Sequence, residues 1–169
     1  MEAVNREFVE VDIQNCTLEE ADIKRKYDFI FLVHSIYTFE ASIIDKLLPL
    51  KKEGGYIIVV ANGQESFLGK MKQLLDQKYK QKRFEINDIK RAFDERGVPY
   101  KEFRFFTEWN ISAEDFVDDM SLILTWLSMN KFQSFSPNQQ RKLLEQAKNL
   151  AEPGEKIFHF KEEEVVLSL

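Results

Sequence analysis

The apolar pattern is densest at Phe29–Val33, where Phe29, Ile30, Phe31, Leu32 and Val33 follow one another without a polar break. A run of that kind predicts a strand over Asp28–His34 that is covered on both faces. It stops at His34-Ser35, and Ile36, Tyr37, Thr38 and Phe39 then lead into a helix. Ile43, Ile44, Leu47, Leu48 and Leu50 fall at helical spacing, so Phe39–Leu50 reads as that helix, with Pro49 marking its close. Glu53-Gly54-Gly55 is read as a turn into a second apolar strand, Gly55–Ala61. Upstream, the looser alternation of Glu7–Ile13 predicts another strand, with Asp12 near its end.

Downstream, Phe67, Leu68, Met71, Leu74 and Leu75 give Ser66–Lys80 one apolar side. Asp88–Arg96 is a further helix, with Asn87 as its expected cap, Gly97 as its stop and Pro99 just beyond. Aromatic-rich Tyr100–Asn110 reads as a strand. A helix starts near Ser112–Asp115 and carries Phe116, Met120, Leu122, Leu124, Trp126 and Leu127. Ser136 opens another over Asn138–Leu150. Lys156–Phe160 and Glu164–Leu169 predict a terminal hairpin. Strands alternating with helices make an α/β domain, and no repeat or linker divides the 169 residues.

Charge narrows the partners. A net charge of −5 supplies no basic field for phosphates, so nucleic acid is not expected as a partner. The basic run at Lys78–Arg83 is read as a solvated helix end, because acidic residues follow at once. The single cysteine, Cys16, excludes an internal disulfide and fits a reducing, cytoplasmic setting. No apolar run approaches the roughly 18 residues of a membrane span, and no leader pattern is evident. No His/Cys/Asp cluster has metal-ligand spacing. Fifteen phenylalanines suit a core, or an aromatic enclosure.

The strand ending in Asp12, then YDFIFLVHSIYTFE, then LLPLKKEGGYIIVV resembles the middle of a class I S-adenosylmethionine-dependent methyltransferase. NISAEDFVDD at Asn110–Asp119 and LTWL at Leu124–Leu127 resemble the histamine N-methyltransferase type within that class. The resemblance covers most of the chain. It implies an incomplete Rossmann-like sheet, with central parallel strands, helices on both faces and antiparallel strands at the carboxyl end. It also implies S-adenosyl-L-methionine as cofactor and a small amine as substrate. One departure matters. The six glycines include no G-x-G turn after an apolar strand, so the cofactor segment of the family lacks a counterpart here. The chain corresponds to the carboxyl-terminal two-thirds of the family fold and is expected to be inactive alone. The alternative is a non-catalytic remnant serving as a binding or assembly module. Without a neighbouring strand, the apolar edge of Asp28–His34 invites pairing, and a homo-oligomer through that edge is one expected outcome.

The resemblance also assigns residues. Asp12 falls at the position that holds the adenine amino group, with Asn15 and Cys16 beside it. Val33 and His34 fall where the central strand touches cofactor and substrate. His34 replaces a glutamine of the family, and its imidazole could serve as a base for an ammonium substrate. Tyr37, Thr38, Phe67, Phe132 and, near the carboxyl terminus, His159 or Phe160 fall at substrate positions. An aromatic enclosure of this kind suits a flat or cationic amine. Ordinary core packing is the competing role for the phenylalanines.

Overall fold

The structure, a computed structural model, describes residues 21, 23, 25–79 and 83–169. The expected strand at Glu7–Ile13, and with it Asp12, Asn15 and Cys16, lies outside the described residues.

Strand β1 (Tyr27–Val33) is built from β-branched and aromatic residues and pairs in parallel with β2 (Lys51–Asn62). Helix α1 (Ile43–Leu50) makes the crossover between them. A 3-10 turn, Ile36–Thr38, precedes α1, so the helix starts later than the apolar spacing suggests. Glu53-Gly54-Gly55 is not a turn before the strand. It lies inside β2 as an irregularity opposite Asp28, where the pairing jumps from Tyr27 with Lys51 to Phe29 with Tyr56. Gly54 has φ +74°, a left-handed conformation that glycine adopts without a Cβ clash.

Helix α2 (Phe67–Tyr79) follows β2. Its first turn packs tightly on the loop after β2, and a Cβ on Gly69 would overlap the Gly63 carbonyl. Helix α3 (Ile86–Glu95) is capped by Glu85 rather than by Asn87, in a reciprocal pair with Asp88. Strand β3 (Lys101–Ser112), helix α4 (Phe116–Leu127), a second 3-10 turn at Phe132–Ser134 and helix α5 (Pro137–Leu150) come next. Ser136 caps α5, accepting from the Gln139 amide, with Pro137 in the first turn.

The predicted terminal hairpin is corrected. After the two-residue strand β4 (Glu152–Pro153), Ile157–Ser168 is one continuous strand, β5. The charged stretch Lys161–Glu163 reads as a break in sequence, but its carboxylates have partners. Glu162 accepts from the Leu68 amide at 3.0 Å, and Glu163 meets Arg104 at 2.7 Å. β5 lies antiparallel between β2 and β3, giving the order β1-β2-β5-β3, with β4 paired on β5. The fold is therefore mixed α/β, with the parallel pair at one end and antiparallel strands at the other.

Side chains alternate across the sheet, which makes two cores. Leu32, Ile57, Val59, Ala61, Val165 and Leu167 pack with Ile43, Ile44 and Leu47 of α1 and Ile89 and Phe93 of α3. Phe160 and Ile111 pack with Met71 of α2, Met120 and Leu124 of α4 and Leu143 of α5. Among the described residues nothing covers the second face of β1, against the expectation of cover on both faces. Phe29 and Phe31 are 56% and 60% exposed, and both stand on the face opposite Leu32. Phe29 stacks on Phe31 and on Tyr56, so the bare face is an aromatic ladder. An unbroken apolar run reports low polarity, not which elements cover it. Among the described residues β1 is an edge strand, and no helix is long and apolar enough to cross a membrane.

Candidate functional site

Open α/β sheets bind ligands outside the carboxyl ends of their parallel strands. Here β1 ends in His34-Ser35 and β2 ends in Asn62. A cavity of about 300 Å³ opens above them, lined by His34, Ser35, Tyr37, Lys72, Trp126 and Met129, among others. A larger recess of about 470 Å³ lies between Phe39–Ala41 and α3, away from the strand ends. The smaller cavity is the one at the carboxyl ends of the parallel strands, where such sheets place their ligands.

His34 holds φ +49°, a left-handed conformation uncommon outside glycine. Its amide continues the β1–β2 ladder by donating to the Val60 carbonyl at 2.9 Å. Its Nε2 lies 3.4 Å from the Glu164 carboxylate on β5. The left-handed backbone sets the imidazole at the strand end, beside Glu164.

Two polar side chains meet at Asn62. The Tyr37 hydroxyl donates to Asn62 Oδ1 at 2.8 Å and accepts from the Asn62 amide at 3.2 Å. Lys72 Nζ donates to the same Oδ1 at 2.7 Å. The lysine is 2% exposed. Its nitrogen stands 3.5 Å from the centre of the Tyr37 ring and 5.7 Å from that of Trp126. Burial disfavours the ammonium, and Arg83 adds repulsion, so the Lys72 pKa falls from 10.5 to about 7. Burial also favours the neutral phenol, and the Tyr37 pKa rises from 10.0 to about 12. Arg83 also lines the cavity. Its Nε lies 3.1 Å from Asp76, and its guanidinium donates to the Leu127 carbonyl at 2.5 Å. Glu162, behind α2, has its pKa raised by burial.

The structure brings His34 and Tyr37 together in this cavity. Thr38 belongs to the same 3-10 turn as Tyr37. Val33 is on the bare aromatic face of β1. Phe67, Phe132 and Phe160 are buried in the second core and do not line the cavity. Phe160 stacks on Trp109 at 4.4 Å and meets Phe67 edge-on at 4.6 Å. His159 is on β5 opposite Asn110 and Glu152. Sequence reasoning missed Asn62, Lys72 and Trp126. The available signal for Lys72 was its position, four residues after Leu68 and three before Leu75, on the apolar side of its helix. No group of three potential metal ligands occurs among the described residues.

No family profile and no curated protein matches the chain. Twenty-six solved chains do. Among them is a methyltransferase candidate from Bacillus halodurans, 14% identical, with a TM-score of 0.48 and an alignment covering 89% of this chain and 67% of that one. A likeness at that distance assigns neither an activity nor a residue.

Proposed function

We propose that the protein is a methyltransferase-type α/β domain whose site accepts a small amine for S-adenosyl-L-methionine-dependent N-methylation. The observation that carries this reading is the cavity at the carboxyl ends of β1 and β2, where the residues of the family resemblance, His34 and Tyr37, stand together. S-adenosyl-L-methionine, when bound, supplies an electrophilic methyl group. The cofactor side is only partly supplied by the described residues: His34 and Ser35 offer a polar strand end, while no G-x-G turn is present.

The chain's own residues suit the amine. The half-exposed ring of Trp126 offers an apolar face to a flat or cationic group, while Lys72 already covers the ring of Tyr37. An amine must be neutral before it can act as nucleophile, and His34 is positioned at the cavity to take its proton. With Lys72 neutral, the fixed cation at the cavity is Arg83, which is engaged by Asp76 and Leu127. An incoming amine therefore meets little repulsion near pH 8. The remaining work is positioning, which this rigid strand end can do.

Isothermal titration with S-adenosylhomocysteine, beside molar mass by light scattering, tests the reading. Saturable binding in the micromolar range, about −8 kcal/mol, would support it and would mean that the missing glycine turn has been replaced. A well-folded chain that takes up no ligand at millimolar concentration favours the second reading, a non-catalytic assembly module. One observation supports that alternative, the uncovered ladder of Phe29, Phe31 and Tyr56 beside the β1 edge.

A further inference from the structure

We infer that Lys72 is a carbonyl-capturing residue, and that the cavity above β1 and β2 takes a small aldehyde as a covalent imine on its Nζ. This goes beyond methyl transfer and does not depend on it. Three features of the site carry the inference.

The first is the setting of the nitrogen. Nζ is held by an amide oxygen and two ring faces, and among the described residues no ion pair joins it to a carboxylate. A lysine kept buried for structure is ordinarily paired with an acid, because an isolated buried ammonium is costly. The rings and Asn62 hold the nitrogen in place, and its burial without a paired acid disfavours the ammonium and leaves the neutral amine, the form that attacks carbonyls. Charged and titratable groups face it from each side: Asp76 on its own helix, Arg83 and Glu85 from the segment before α3, Glu162 from β5 and Tyr37 from the 3-10 turn. Burial outweighs the acids among them, since the net direction is downward.

The second feature is space. Lys72 lines a cavity of about 300 Å³, room for an aldehyde with a short aliphatic or single aromatic substituent, and Trp126 and Met129 give that substituent an apolar wall. The third is proton handling. The Tyr37 hydroxyl shares Asn62 Oδ1 with Nζ, and His34 opens on the same cavity.

The step balances without an oxidant. The Nζ lone pair forms the C–N bond as the carbonyl π pair moves to oxygen. Proton transfer from nitrogen to that oxygen gives the carbinolamine. Its hydroxyl then leaves with a proton as water, assisted by His34 or Tyr37, and the nitrogen lone pair forms the C=N bond. Amine and aldehyde give imine and water.

The test is reductive trapping of the native chain with propanal and cyanoborohydride at pH 7, with peptide mapping by mass spectrometry. At that pH about half of a lysine with pKa near 7 is neutral, against about three in ten thousand for an ordinary lysine. Lys72 should carry the propyl adduct at least tenfold faster than the exposed lysines. The preference should vanish in urea and shrink as the pH approaches 10. A native chain in which Lys72 reacts no faster than its exposed lysines overturns the inference, whether or not S-adenosylhomocysteine binds.

Discussion

Stability of the native chain should rise between pH 7 and 10, and Lys72→Met should abolish that rise. The sign follows from the direction of the shift. Lys72 has a folded pKa near 7 and an ordinary value of 10.5, so between these the unfolded chain holds a proton that the folded chain has released. Stability rises with pH wherever the unfolded state binds more protons. The span corresponds to about 5 kcal/mol, fully opposed to folding below pH 7 and absent above 10.5. Tyr37 acts in the other direction at the alkaline end. Its folded pKa near 12 exceeds 10.0, so its contribution is complete below pH 10 and is lost as the pH climbs toward 12. Urea denaturation at steps from pH 6 to 10, on native and Lys72→Met chains, isolates the lysine. The stability difference between the two should change by several kcal/mol across that range, with methionine keeping the volume and removing the charge. Parallel curves would mean that the amine is solvated, and the site as described would not stand.

Phe160→Ala should cost about 4 kcal/mol, enough to unfold a large share of a marginally stable domain. Phe160 is fully buried on the central strand β5. Its ring stacks on Trp109 and meets Phe67, so truncation removes contacts on two sides and leaves a cavity that a strand paired on both edges cannot close. The same experiment separates the two roles that the sequence allows this residue. A core residue loses stability when truncated. A ligand-facing residue gives a loss below about 1 kcal/mol, and that outcome would contradict the packing described for β5.

The two predictions touch residues that were unequally legible in the sequence. Tyr37 came only from the family resemblance, whereas His34 could be found because a strand's apolar run ends on it, at the place where such sheets bind ligands. The β1–β2 pair and the helical stripes of α2 and α3 were legible for the same reason, since periodicity is a local property. Lys72 was not, because a single lysine in an amphipathic helix is ordinarily solvated, and only the fold brings Tyr37 and Trp126 over it. Glu162 and Glu163 were misread for a related reason. Their partners, Leu68 and Arg104, lie 94 and 59 residues away in the chain. The cover over β1 failed similarly, since nothing local in Phe29–Val33 says which face a helix will occupy.

The most direct test of the site is a map of where S-adenosylhomocysteine acts, read from backbone amide shifts of the labelled chain. The expected result is that His34, Ser35, Tyr37 and Asn62 shift first and saturate together, with the β3 edge at Phe103–Phe106 unmoved. Saturable shifts confined to other surfaces, or none at millimolar ligand, would contradict a binding site at the carboxyl ends of β1 and β2.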